Sequence, residues 1–88
     1  MKYRISKSFA KKFRKNRNKQ LAISILAVME DVSKANVIDD ISNIKKLKGT
    51  EHSYRIRIGK YRIGVVVDND IVDFVYFDHR KDIYKYFP

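Results

Sequence analysis

The 88-residue sequence lacks cysteine altogether and contains only two histidines. Without cysteine, the protein has no disulfide bridge, no thiol nucleophile and no thiolate ligand for a metal. His52 and His79 lie far apart in the sequence, so paired imidazole ligands are not expected either. We therefore expect no metal site and no other cofactor.

Long apolar segments are also missing. No apolar run approaches the roughly 20 residues that a membrane-spanning helix needs. The basic start of the chain leads into no apolar stretch of the kind found in secretory signals. The length permits one domain, residues 1–88, and a hydrophobic content of 44% is too high for a disordered basic tail. We therefore expect a single folded domain, cytoplasmic and without a membrane partner.

Acidic residues are absent from the first 29 positions, whereas residues 1–20 contain nine lysines and arginines. The whole chain has a formal charge of +10. A basic excess on one part of a small domain is typical of a nucleic-acid-binding surface. For the N-terminal segment alone, a hydrated helix face kept soluble by lysines explains the charge equally well.

The hydrophobic pattern predicts an α+β fold. Residues 2–6 alternate like a short strand, Ser8 is a candidate cap for a basic helix ending near Asn16, and a second helix is predicted over 19–33. Residues 34–46 are predicted to be irregular. Three strands with period two follow, over residues 54–58, 61–67 and 71–78. The predicted order is β-α-α-β-β-β with a short C-terminal helix or turn after residue 80, giving a helical hairpin packed on an antiparallel sheet.

A two-residue turn at Gly59-Lys60 fixes the pairing of the first two of these strands. It places Arg57 opposite Arg62 and Arg55 opposite Gly64, with the three arginines on the face away from the apolar residues. Like charges directly opposed on a sheet are destabilising, and an anion bound between them relieves the repulsion. The pattern therefore predicts an anion site, although each arginine taken singly is better explained as the hydrated side of a sheet.

An Asn69-Asp70 turn extends the same register to the third strand. It pairs Tyr76 with Ile63 on the apolar face and places Phe77 across from Arg62, where an aromatic ring is able to stack on a base. Asp73 is expected on this face as an ion-pair partner and His79 beside Phe77. Arg80 and Tyr84 join them if the last segment is helical. Ordinary alternatives are packing roles for the two aromatic residues and a strand-end cap for the histidine.

The most distinctive stretches are Leu47-Lys48-Gly49, Tyr54-Arg55-Ile56-Arg57-Ile58, Gly59-Lys60-Tyr61-Arg62, and Asp78-His79-Arg80 with Ile83-Tyr84. In their order and spacing they resemble the RelE/ParE superfamily of toxins from toxin–antitoxin modules, in its RelE-like branch. The similarity in size and element order covers essentially the whole chain. Two departures are that arginine stands where the family often has lysine in the first hairpin strand, and that the late tyrosine follows the last arginine more closely.

The resemblance implies a ribosome-dependent endoribonuclease, or mRNA interferase, that cleaves mRNA in the decoding site and is held by a cognate antitoxin. Such a reaction uses the RNA's own 2′-OH as nucleophile and needs proton removal, a stabilised phosphorane and a protonated leaving oxygen. The expected catalytic residues are Arg62, Arg80, Tyr84 and His79. The expected RNA-binding residues are Arg55, Arg57, Phe77 and Lys48. Tyrosine or histidine is the candidate general base, and the sequence does not decide between them.

Two other functions fit parts of the pattern. A ParE-like toxin shares the fold and inhibits DNA gyrase, but that branch generally lacks the arginine and tyrosine set present here. A basic RNA-binding module without catalysis is the third interpretation. Cleavage of mRNA in a translating lysate, compared with DNA supercoiling by gyrase, separates the three.

Overall fold

The computed structural model describes residues 1–88, in which two helices cover one face of a five-stranded sheet. The elements, in chain order, are β1 (Lys2–Ile5), α1 (Lys7–Lys15), α2 (Lys19–Lys34), β2 (Ile44–Lys46), β3 (Ser53–Ile58), β4 (Tyr61–Asp68) and β5 (Ile71–His79). Short 3₁₀ turns occupy Ile38–Asp40 and Ile83–Lys85. The predicted α+β architecture of a helical hairpin packed on a sheet is thus confirmed.

Polar side chains define where both helices begin. The Ser6 hydroxyl caps α1 by accepting a hydrogen bond from the Phe9 amide (3.1 Å), so the cap lies two residues before the predicted Ser8. Ser8 instead donates to the Val75 carbonyl on β5. Asn18 caps α2 through the Leu21 amide. No helix is both long enough and apolar enough to cross a membrane.

The strand order across the sheet is β1-β5-β4-β3-β2. The sheet is mixed because β1 runs parallel to β5, whereas every other pair is antiparallel. Residues 44–46, which were predicted to be irregular, form the edge strand β2 against β3. A strand of three residues is too short to produce a recognisable alternation.

The main core lies between the helices and the sheet and contains 14 buried apolar residues. Phe9 of α1 packs edge-on against Phe74 and Phe77 of β5, with ring centroids 5.6 and 5.0 Å apart. Ile25 and Val32 of α2 are fully buried in the same layer. The opposite face of the sheet is therefore left to the arginines and to the end of the chain.

The β3–β4 register is the predicted one, with Arg57 opposite Arg62 and Arg55 opposite Gly64. Gly59 has a φ of +59°, as the first position of a type II′ turn requires. Next to this hairpin, β5 contains an irregularity that changes its register. Val65 pairs with Phe74, as expected, but Gly64 pairs with Tyr76, which leaves Val75 as an extra residue.

This bulge makes the predicted positions of Phe77 and His79 wrong. Phe77 pairs with Ile63 and turns into the core with 2% exposure, and Asp78 rather than Phe77 lies opposite Arg62. One extra residue reverses the side-chain parity of everything after it. Because Val75, Tyr76 and Phe77 are all apolar or aromatic, the sequence pattern is satisfied by either register.

Candidate active site

Four arginines form the centre of the candidate site, and they are called the arginine cluster: Arg55, Arg57, Arg62 and Arg80. The β3–β4 hairpin supplies the first three on one face of the sheet. Arg80 follows the last strand, where its amide donates to the Lys60 carbonyl in the hairpin turn (2.8 Å). This bond ties the start of the C-terminal segment, residues 80–88, to the tip of the hairpin.

The side chain of Arg62 makes more hydrogen bonds than that of any other member of the cluster. Its Nη1 donates to the carbonyl oxygens of Gly59 and Tyr61, both at 2.9 Å. These bonds use the hydrogens of one guanidinium nitrogen and leave those of Nη2 and Nε free. The free pair has the fork geometry that binds two oxygens of a phosphate. Arg55 is fixed in a similar way, by a hydrogen bond from Nη1 to the Asn43 carbonyl (2.9 Å).

The electrostatic environment of Arg62 is strongly positive. Burial lowers the pKa of its guanidinium below the usual value, and the charges of Arg55, Arg57 and Arg80 lower this pKa further. Tyr84, in contrast, raises the pKa of Arg62. An arginine stays charged in proteins despite such a shift. The surroundings of Arg62 therefore favour a bound anion.

Carboxylates do not neutralise the cluster, since none of its arginines takes part in a salt bridge. The two acidic residues of β5 are engaged elsewhere. Asp73 receives two hydrogen bonds from Arg4 of β1, at 2.8 and 3.1 Å, so its expected pairing with the cluster is wrong. Asp78 forms an ion pair with Lys12 of α1 (3.2 Å).

Tyr84 lies in the C-terminal segment, on the 3₁₀ turn that packs against β4 and β5. Tyr84 is 53% exposed, and it is one of the groups that shift the pKa of Arg62. The structure thus brings together five of the predicted site residues: Arg55, Arg57, Arg62, Arg80 and Tyr84.

The other three predicted site residues lie elsewhere. Phe77 is enclosed by the core and has no exposed ring face for a base. His79 has the parity of the helix-covered face, where its ring meets Tyr61 edge-on (5.7 Å) and its Nδ1 accepts from the Lys81 amide. Lys48 is exposed in the turn before β3, at the opposite end of that strand from Arg57.

Sequence reasoning did not identify Asn43 and Phe87 as parts of this region. The Asn43 carbonyl accepts from both the Arg55 side chain and the Arg57 amide. Its φ of +63° is a conformation that asparagine adopts more readily than most residues, so the Ser42-Asn43 pair is a weak turn signal. The packing of Phe87 on Gly64 has no comparable local signal.

Comparison with known proteins identifies the family of this chain through individual relatives. No family model matches the chain. Toxin RelE3 of Methanocaldococcus jannaschii is 45% identical over 65 residues, which cover 73% of this chain and 74% of the relative. A chain of the RelB-RelE antitoxin-toxin complex from Methanococcus jannaschii has a TM-score of 0.77 at 36% identity and matches 97% of this chain and 99% of its own length.

A more distant structure shares the fold alone. A chain of the archaeal RelE-RelB complex from Pyrococcus horikoshii OT3 superposes with a TM-score of 0.70 at 20% identity, covering 90% of this chain and 93% of that one. The level of identity to the toxin from M. jannaschii, over most of both chains, is what decides the family. The chain belongs to the RelE family of toxins, as its sequence motifs predicted.

Proposed function

We propose that this toxin is a ribosome-dependent endoribonuclease that cleaves mRNA in the decoding site of the ribosome. One observation carries the proposal: Arg62 has three other arginines around it, none of the four has a carboxylate partner, and Tyr84 is close enough to shift the pKa of Arg62. A site of this composition suits a transition state with two negative charges on a phosphorus centre.

In the proposed reaction the 2′-OH of the RNA attacks the adjacent phosphorus and the 5′-oxygen leaves. Arg62 binds the scissile phosphate through Nη2 and Nε, because its Nη1 is already held by two carbonyls. Arg55 and Arg57 hold the flanking backbone. Arg80 and Tyr84 stand at the nucleophile or the leaving group, and Tyr84 is the proton-transfer group of the cluster, since His79 lies on the other face.

The ribosome enters the proposal because the site lacks an acid–base pair of the ordinary ribonuclease type. The carboxylates of β5 are paired with Arg4 and Lys12, and no imidazole faces the cluster. Catalysis then depends largely on how the RNA is positioned. The decoding site of the ribosome is proposed to supply this by orienting the 2′-OH towards the adjacent phosphorus. The basic N-terminal helix adds a sequence-independent attraction to ribosomal RNA.

The test compares Arg62→Ala and Tyr84→Phe with the wild type in single-turnover cleavage of mRNA on programmed ribosomes. Loss of one transition-state donor lowers such rates by about 10²–10³-fold, so we expect a loss of this size for Arg62→Ala. A smaller but clear loss is expected for Tyr84→Phe. Ribosome affinity, measured in parallel, is expected to change little because many other cations contribute to it.

Arg17→Ala is the matched control, because it removes one exposed positive charge outside the cluster. Wild-type cleavage by both Arg62→Ala and Tyr84→Phe overturns the catalytic assignment. A wild-type protein that inhibits gyrase supercoiling without cleaving mRNA is a ParE-like toxin instead. One that binds RNA and does neither is a non-catalytic binding module.

We also propose a cognate antitoxin as the partner that keeps this toxin inactive. The related structures from the two archaea are themselves complexes of RelE with RelB. In the present chain, a largely apolar groove of about 170 Å³ lies between α1 and α2, with Phe9, Phe13 and Met29 in its wall. Leu26, at its rim, is 54% exposed. Arg14 of α1 also lines this groove, so its chemistry fits an acidic segment with an apolar face.

A further inference from the structure

The ring of Phe87 lies directly against Gly64, on the same sheet face as the arginine cluster. A methyl group on Gly64 would lie only 2.5–2.8 Å from three carbons of this ring. Both residues are buried, and Phe87 is 3% exposed. Only glycine leaves room for the ring at this point of β4. The Phe87–Gly64 contact is therefore specific to this pair of residues.

The contact sits close to the proposed catalytic groups. Gly64 is the direct neighbour of Arg55 across the β3–β4 pair and lies two residues from Arg62 along β4. Alternation along a strand places Gly64 and Arg62 on one face. Phe87 thus covers the part of the sheet that borders the cluster.

The chain between Arg80 and Phe87 is attached to the hairpin at its start and closes on itself near its end. Its start is fixed by the hydrogen bond from the Arg80 amide to the Lys60 carbonyl. Towards its end, the Phe87 amide donates to the carbonyl of Ile83 (3.0 Å), a residue that is fully buried. Tyr84 follows Ile83 directly and projects from the segment with about half of its surface exposed.

The segment has little stability of its own. Its only regular structure is a 3₁₀ turn of three residues, and a single turn of this kind does not persist in water without tertiary contacts. Its placement on the sheet therefore depends on tertiary contacts, which are made by the buried side chains of Ile83 and Phe87 and by the ring of Tyr86 against Tyr76 of β5 (5.6 Å). Of these, Phe87 makes the contact that requires a glycine opposite.

We propose that Phe87, seated on Gly64, is a positioning residue that holds Tyr84 and Arg80 beside Arg62. The effect on cleavage rests on the proposed endoribonuclease function, whereas the seating of the segment does not. A shift of about 1 Å in a reacting group is enough to lower a rate by on the order of 10²-fold. Displacing Phe87 is thus expected to impair chemistry without removing any group that touches the RNA.

The experiment has two readouts on Gly64→Ala, Phe87→Ala and the double variant. In the first readout, the folded protein is treated with trypsin, and mass spectrometry measures how fast it is cleaved after Lys81 and Lys85. Slow cleavage shows that the segment is packed on the sheet. Single-turnover mRNA cleavage and ribosome affinity report its catalytic effect. Ile23→Ala is the matched control, since it shortens an apolar side chain that is 60% exposed on α2, away from the C-terminal segment. Circular dichroism identifies any variant that fails to fold, and Phe87→Ala decides the outcome if Gly64→Ala is one of them.

We expect both single variants to release the C-terminal peptide faster and to lose on the order of 10²-fold in cleavage rate at unchanged ribosome affinity. The double variant should lose no more than Phe87→Ala, because the added methyl group then displaces no ring. If both single variants resist trypsin as well as the wild type does, the Phe87–Gly64 contact does not hold the segment on the sheet. Faster release with wild-type cleavage overturns the positioning role. A wild-type protein without cleavage activity refutes the proposed function instead, and the trypsin result still decides the seating.

Discussion

Removing one charge from the arginine cluster is expected to stabilise the fold while it weakens activity. Arg57 is the most suitable position, because it is exposed and lies directly opposite Arg62 on the neighbouring strand. Neither residue has an acidic partner that would be left unpaired. Glutamine keeps the length and polarity of the side chain. The substitution Arg57→Gln therefore removes mainly a repulsion.

The size of the effect follows from the cross-strand geometry. A pair of directly opposed side chains contributes about 0.2–1 kcal/mol, and for like charges this contribution is unfavourable. In a domain of this size, a stabilisation of about 1 kcal/mol raises the melting temperature by roughly 4–8 °C. The expected increase for Arg57→Gln is accordingly about 1–8 °C at low ionic strength. Salt screens exposed charges, so the increase should shrink at about 1 M salt, where the Debye length is about 3 Å.

Thermal unfolding followed by circular dichroism, at low and high salt, measures this increase. Arg17→Gln is the control, since it lowers the net charge equally at an exposed position outside the cluster. Cleavage on programmed ribosomes, measured on the same samples, should fall for Arg57→Gln alone. Two results would refute the idea that repulsion between the arginines destabilises the fold. One is a melting temperature of Arg57→Gln at or below that of the wild type, and the other is an increase no larger than that of Arg17→Gln.

Two further predictions concern the helices. Burial lowers the pKa of Lys12, but hydrogen bonds to Tyr76 and Asp78 and the charge of Asp78 outweigh it and raise this pKa above its usual value. Lys12→Met should therefore lower the free energy of unfolding by about 1–3 kcal/mol at neutral pH. The deficit should close as the pH rises through the folded-state pKa, and a deficit that persists in strongly alkaline urea titrations contradicts this. In the groove, Leu26→Lys should weaken binding of the proposed antitoxin by more than about tenfold in calorimetry, with Ile23→Lys as the exposed control outside the groove. Equal affinities of the two variants would show that the antitoxin does not bind in the groove.

The β3–β4 hairpin could be predicted in detail because its turn is encoded locally. Gly59 provides the positive φ that a two-residue turn needs, and the alternation on either side then admits a single register. The opposition of Arg57 and Arg62 follows directly from that register. The family motif supplied Arg80 and Tyr84, and their position beside the hairpin depends on contacts between residues distant in sequence.

The remaining differences arise where local pattern and tertiary packing diverge. The bulge at Val75 cannot be read from a run in which three successive residues are equally suited to burial. It moves Phe77 and His79 out of the predicted site in a single step. The fold of the C-terminal segment depends on the absence of a side chain at Gly64, and no short-range pattern indicates which aromatic residue fills that space.

The total charge of the chain explains less about the site than the placement of its few acids. Asp78 is the cross-strand neighbour of Arg62, whereas Asp73 pairs with Val66, four residues further along β4. If the carboxylate of Asp78 turned towards Arg62, it would neutralise part of the cluster. Lys12 of α1 pairs with this carboxylate instead (3.2 Å). A cation of the N-terminal helix thus has a structural effect on the opposite part of the chain, because it holds the one neighbouring carboxylate and leaves Arg62 without an acidic partner.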